Sequence, residues 1–166
     1  MFSLIILSLA AVAQLTSGYP FEVPTAACVD MTPKGPGHNN AAPQNSKVPF
    51  DFALQKNSIS NSETVEFSIN QKPGGPTFAG FMVQARAGNS PTPIGTFQPK
   101  GDNARTVTCS AENDTGSHNS PDSKTSTTLI WTPPTNFKGS VTFYATVAET
   151  KLKFWTRQKA ATLTVK

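Results

Sequence analysis

Groups able to do chemistry are scarce in this 166-residue chain: two cysteines, two histidines and a charged fraction of only 14%. Cys28 and Cys109, with no histidine at ligand spacing, make a poor zinc set, and no metal is expected. No Gly-x-Ser-x-Gly elbow, His-Glu-x-x-His helix or phosphate-cradling glycine loop occurs. His38 and His118 both lie in polar, Asn-rich segments. His118 has Ser117, Ser120 and Asp122 as neighbours, but a nucleophile–base–orienter triad is assembled from distant segments, not one loop. These side chains read as turn hydrogen bonding, so neither enzyme activity nor a cofactor is expected. No convincing helical period is present, and no internal repeat, which excludes solenoids and propellers.

One apolar run stands out. Leu4 to Val12 is interrupted only by Ser8, and no charged side chain precedes Glu22. It is shorter than the roughly 20 residues a membrane span requires and suits the core of a signal peptide. Cleavage fits after Ala13 or after Gly18, and the polar Gln14–Gly18 stretch favours Gly18. The expectation is a 1–18 signal peptide, followed by one extracellular, secreted domain at 19–166 that spans no membrane. In an oxidising compartment an even pair of cysteines points to one bridge, Cys28–Cys109. Closing so long a loop is worth about 4 kcal/mol in the chain-entropy account.

Residues 19–47 are rich in Pro, Gly, Asn and Ala and read as an irregular arm, pinned by Cys28 and Met31. Alternation begins near Val48 with Phe50, Phe52 and Leu54, and recurs in Val65, Phe67 and Ile69. Phe78–Arg86 reads as a buried strand, Gly88-Asn89-Ser90-Pro91 as a turn, and Gly95–Gln98 as a short returning strand. Arg105–Cys109, Thr127–Trp131, Val141–Val147 and a segment within Phe154–Val165 follow. Seven to eight strands without helices predict an all-β, immunoglobulin-like antiparallel sandwich over 48–166. Phe52, Val65, Phe67, Ile69, Phe81, Val83, Trp131, Phe143 and Val147 form its expected core. Trp131 follows the second cysteine, so the Cys…Trp…Cys order of antibody domains is absent.

Charge is unevenly placed. The net +4 resides in the last sixteen residues, where Lys151, Lys153, Arg157, Lys159 and Lys166 meet no acid. On an extended strand Lys151, Lys153, Trp155, Arg157 and Lys159 share one face, with Leu152 and Phe154 turned inward. Cations around a tryptophan suit a polyanionic, amphiphilic ligand, with Trp155 as a stacking wedge. The plainer reading is an edge whose lysines oppose aggregation. Inward parity must switch before Ala161, Leu163 and Val165, which predicts a bulge near Gln158–Ala160. Nucleic acid is not an expected partner despite a pI of about 9.2, because no recognition motif is present. Asn113-Asp114-Thr115 is the single N-glycosylation sequon.

Ordered pieces of the chain resemble the reeler (reelin N-terminal-like) domain. They run from Ala27-Cys28 and Met31-Thr32-Pro33, through Phe78–Arg86 with Gly95-Thr96-Phe97, to Cys109-Ser110. Ser117-His118-Asn119-Ser120 ahead of Lys124, Trp131-Thr132-Pro133-Pro134, Gly139–Phe143 and Phe154-Trp155 complete the series. A single such domain behind a signal peptide is similar to the small insect defence proteins of haemolymph. The resemblance implies an extracellular sandwich, expected as a monomer, of innate immunity. Its implied partners are microbial envelope polysaccharide or lipopolysaccharide and the haemocyte surface, with antimicrobial action or haemocyte nodulation as outcome. The competing expectation is an extracellular matrix or haemolymph interaction module without a microbial ligand, and a remoter one is a carrier of small ligands between the sheets.

Overall fold

The computed structural model describes residues 23–166, so the segment read as a signal peptide lies outside the described residues. Ten strands build two facing sheets. They are β1 (Phe50–Leu54), β2 (Ser58–Ile59), β3 (Val65–Gln71), β4 (Gly80–Ala87) and β5 (Thr96–Lys100). Then come β6 (Ala104–Val107), β7 (Thr115–His118), β8 (Ser126–Thr132), β9 (Gly139–Thr150) and β10 (Lys153–Val165). The four-stranded sheet runs β1-β3-β8-β5 and the six-stranded sheet β2-β10-β9-β4-β7-β6. The strand pairs are antiparallel, except that β2 lies parallel to β10.

Period-2 alternation makes the core, as expected for sheets with one face inward. β3 and β8 alternate strictly, sending Val65, Phe67, Ile69, Leu129 and Trp131 between the sheets to meet Phe81, Val83, Phe143 and Val147. Phe52 is half-buried and packs against this cluster from β1. The space between the sheets is filled by these side chains, and the cavity described below lies outside it.

Two readings need correction. Thr96–Lys100 does not return beside β4; it joins the other sheet next to β8, so residues 88–95 cross between layers. β2 and β7 escaped the sequence pattern, because Ser58-Ile59 is too short to alternate and Thr115–His118 has no apolar side chain. β4 is buried on both faces, as its apolar run predicts, with Met82, Gln84 and Arg86 on its outer face as buried as Phe81, Val83 and Ala85 on the inner. The cover is the N-terminal arm, with its short 3₁₀ turns Thr25–Ala27 and Pro36–His38.

Gly95 makes the crossing possible. Its φ is +71°, and a Cβ there would stand 2.4 Å from the Thr132 carbonyl oxygen and 2.6 Å from the Trp131 ring. The indole Nε1 of Trp131 donates to the Ile94 carbonyl at 3.0 Å, which locks the corner. Gly95→Ala should cost about 1–3 kcal/mol, from a left-handed backbone and an overpacked contact together. Urea denaturation checks this, and an unchanged midpoint would contradict it.

Candidate functional site

The arm is held across the outer face of the six-stranded sheet by a covalent bond and a buried polar network. Cys28 and Cys109 form the expected disulfide, with Cα atoms 5.5 Å apart. Beside it, the Arg86 guanidinium donates to the carbonyls of Cys28 (3.0 Å) and Val29 (2.9 Å), and to the Gln84 amide oxygen. Gln84 Nε2 in turn donates to the Cys28 carbonyl and the Thr115 hydroxyl, both at 3.1 Å. The Thr146 hydroxyl donates to the Met31 carbonyl at 2.7 Å. Arg86 also lies over the Tyr144 ring at 5.7 Å. Burial and the repulsion of nearby Arg157 lower the Arg86 pKa, while Tyr144 opposes that shift. Arginine suits this place because its fork serves several acceptors and stays charged when buried.

Between arm and sheet remains a cavity of about 140 Å³. Met31, Phe81, Met82 and Ala148 line it on the apolar side, and Lys34, His38 and Lys151 on the basic side. His38 Nδ1 lies 2.7 Å from the Lys151 carbonyl, and its ring packs edge-on over Phe154 at 6.0 Å. His38 thereby joins the arm to the β9–β10 turn.

His118 is a strand residue rather than a loop one. Its Nδ1 accepts from the Phe81 amide N–H at 3.2 Å, and its ring lies over Gly80, where a Cβ would come within 3.2 Å. The Ser117 hydroxyl donates to the Phe81 carbonyl at 3.0 Å. Ser120 and Asp122 do not complete a triad; their carbonyls accept from Lys124 Nζ at 2.8 and 2.7 Å, and Ala79 supplies a third carbonyl at 3.1 Å. Lys124 is thus a buried cation that closes the 119–124 loop, with its pKa lowered by burial against the pull of Asp122. Burial also lowers the His118 pKa, resisted by the bond that a protonated Nδ1 donates to the Phe81 carbonyl at 3.1 Å and aided by Lys124, Arg105 and His38. The folded state therefore resists protonating His118. Its stability contribution is present above the ordinary value of 6.5 and declines as pH falls through the lowered folded value. His118→Asn, whose side-chain oxygen can accept the same N–H, should flatten the stability–pH curve just below 6.5, and denaturant midpoints measured at a series of pH values check this.

The basic residues separate into two groups. Lys151, Arg157 and Lys159 are exposed. Lys153 is tied to Glu149 at 2.8 Å and lies over the edge of the Trp155 system at 5.9 Å. Trp155 is 2% exposed, packs edge-on against Phe50 at 5.8 Å, and donates from Nε1 to the Ser46 carbonyl at 3.1 Å. The wedge role assigned to Trp155 from parity fails on this burial. The cause is the backbone: register shifts fall at Lys153/Phe154, Trp155/Gln158 and Lys159/Ala161, and Arg157 takes a φ of +45°. The last shift is the bulge expected near Gln158–Ala160; the first two put Phe154 under His38 and Trp155 in the core. Leu152, expected inside, is 54% exposed in the β9–β10 turn.

Other residues gained roles that sequence patterning missed. Asp114 is fully buried and caps the disulfide loop, accepting from the backbone N–H groups of Cys109, Ser110 and Ala111 at 2.7–2.9 Å. Burial raises its pKa, these donors lower it, and the net shift is downward. Asn113, the sequon residue, is half-buried at φ +58°, and its side-chain oxygen accepts from the Thr106 hydroxyl. Among the described residues no cluster of three His, Cys, Asp or Glu side chains could hold a metal, and no helix is long and apolar enough to cross a membrane.

Comparison with known proteins completes the picture. The chain is 31% identical over 99% of its length to "Putative defense protein 3" of Antheraea mylitta, covering 97% of that protein. It is 33% identical to "Defense protein l(2)34Fc" of Drosophila melanogaster, covering 93% of each chain. Among solved structures, the human F-spondin reeler domain superposes with a TM-score of 0.59 at 16% identity, over 76% of this chain and 94% of that one. The reeler domain family model matches residues 26–166, which takes in every strand, both cysteines and the Lys124 clasp. With a match that spans most of its length, this chain belongs to the reeler domain family.

Proposed function

We propose that this chain is a secreted defence protein that binds anionic polymers of microbial envelopes and catalyses no reaction. The observation that carries the reading is the match, over nearly the whole length of both chains, to relatives named as defence proteins. Two physical features support it. The disulfide suits an oxidising extracellular compartment. Lys151, Arg157 and Lys159 stand exposed along the β9–β10 hairpin and β10, in the part of the chain that carries its excess positive charge.

Each exposed cation within about 4 Å of a phosphate or carboxylate gives only about 1 kcal/mol in water, so the three act together. Lys153 contributes less, because Glu149 already neutralises it. Raising salt from about 0.1 M to about 1 M shortens the screening length from about 10 Å to about 3 Å. Binding to immobilised lipopolysaccharide should then fall at least roughly tenfold. Equal binding at both salt concentrations, or none at either, would favour a matrix or haemolymph module without a microbial ligand.

A further inference from the structure

The cavity under the arm is built differently from the exposed basic surface. Its floor consists of Phe81, Met82 and Ala148 of the sheet, and Ala27 and Met31 of the arm belong to its roof. Phe81 and Met82 are 3% and 4% exposed, so the floor is fixed by the packing around it. The roof is fixed as well, since Cys28, one residue from Ala27, is bonded to Cys109 and its carbonyl is held by Arg86 and Gln84. The Thr146–Met31 bond pins the middle of the arm. The hollow opens to solvent on one side and also touches Thr146, Thr150 and His118, and its volume of about 140 Å³ is comparable to that of cavities which take up a molecule the size of benzene.

One side of the cavity is cationic. Lys34 is already engaged, by Asp30 at 2.9 Å and by the Ala26 carbonyl at 2.7 Å. Lys151 differs: its ammonium has no hydrogen-bond or ion-pair partner among the described residues. Its stem runs beside Gly37 of the arm, where a Cβ would lie 3.6 Å from Cδ and 3.9 Å from Nζ. The bond between His38 and the Lys151 carbonyl holds the turn that presents it. An apolar chamber with a single unspent cation at its rim selects an amphiphile of one negative charge.

We infer that this cavity is a binding site for a small carboxylate amphiphile, whose apolar body of about five or six heavy atoms enters beneath the arm while its carboxylate meets Lys151. The site is separate from polymer binding, in which Lys151 is one cation among several; filling the chamber leaves the outer charges in place.

The test titrates hexanoate into the disulfide-intact protein by ¹H–¹⁵N NMR. Saturable binding at about millimolar concentration or tighter is expected for a ligand of this size, with the largest shifts at Ala27, Met31, Met82 and Ala148. Ala148→Leu, which fills the chamber from the floor, should weaken hexanoate at least about tenfold and leave lipopolysaccharide binding unchanged. If that variant does not fold, Ala27→Leu fills the chamber from the roof with the same expected result. Lys151→Met should weaken hexanoate about fivefold and leave hexan-1-ol unaffected, because only the carboxylate needs the ammonium. No saturable binding to the unmodified protein, or wild-type affinity in the chamber-filling variant, would overturn the site. Equal effects of Lys151→Met on hexanoate and hexan-1-ol would overturn the assignment of the head group.

Discussion

Cys109→Ser should lower the free energy of unfolding by about 2–5 kcal/mol and loosen the N-terminal arm from the sheet. The separation bridged is 81 residues, so the bond removes much freedom from the unfolded chain, worth about 4 kcal/mol by loop-closure entropy. A native-state loss adds to this. Without the bond, the carbonyls of Cys28 and Val29 are kept over Arg86 and Gln84 by hydrogen bonds alone. If the arm lifts, Arg86 becomes a buried cation short of acceptors, a state that costs more than the bonds were worth. Loss of the bridge and loss of the network should therefore be coupled. Arg86→Met in the Cys109→Ser background should destabilise less than the sum of the two single changes. Denaturant midpoints give the free energies, and hydrogen exchange at the Met31 amide, which donates to the Ala27 carbonyl at 2.8 Å, reports the arm directly. An unchanged midpoint with a protected Met31 amide would contradict the anchoring role.

Phe143→Ala should cost about 3–5 kcal/mol without altering the arm. Phe143 is fully buried on β9 at the meeting of both sheets. It stacks on Phe67 at 5.3 Å and meets Trp131 and Phe97 edge-on at 5.5 and 6.3 Å. Truncation removes the ring and leaves a void that three aromatic neighbours, each held from a different strand, cannot collapse to fill. At this size the melting temperature should drop by roughly 10 °C, taking about 2–4 °C per kcal/mol. Phe143→Leu should retain most of the volume and cost much less. A melting temperature within a degree of wild type for Phe143→Ala would refute the packing described.

These two sites were also the most legible in the sequence, for different reasons. Phe143 sits in a clean alternation with Val141, Ala145 and Val147, and a period of two fixes the face once one face is buried. The cysteine pair followed from count and compartment. Trp155 and Leu152 were misplaced because the parity rule was carried across a segment where the backbone breaks it, while Lys151, Lys153, Arg157 and Lys159 face solvent as the rule had them. Arg157 in a left-handed conformation accompanies the register shift that leaves Trp155 in the core, and no local residue, neither Gly nor Asn, announces the turn. β4 was legible as buried, yet the purpose of Gln84 and Arg86 within it was not, since their partners are carbonyls more than fifty residues away. The fully buried Asp114 and the clasp of Lys124 belong to the same class, for each satisfies backbone groups of a loop whose path has no periodic signature.

The functional account rests on the exposed cations of the β9–β10 hairpin, and one variant addresses them together. Lys151→Glu, Arg157→Glu and Lys159→Glu change three exposed side chains that have no ion pair among the described residues. The melting temperature should stay within a few degrees of wild type, because exposed charges away from pairs contribute little to stability. Binding to immobilised lipopolysaccharide, measured at low salt beside the wild-type protein, should be abolished. A folded triple variant that binds as well as wild type would contradict the account and leave these residues as a solvated edge.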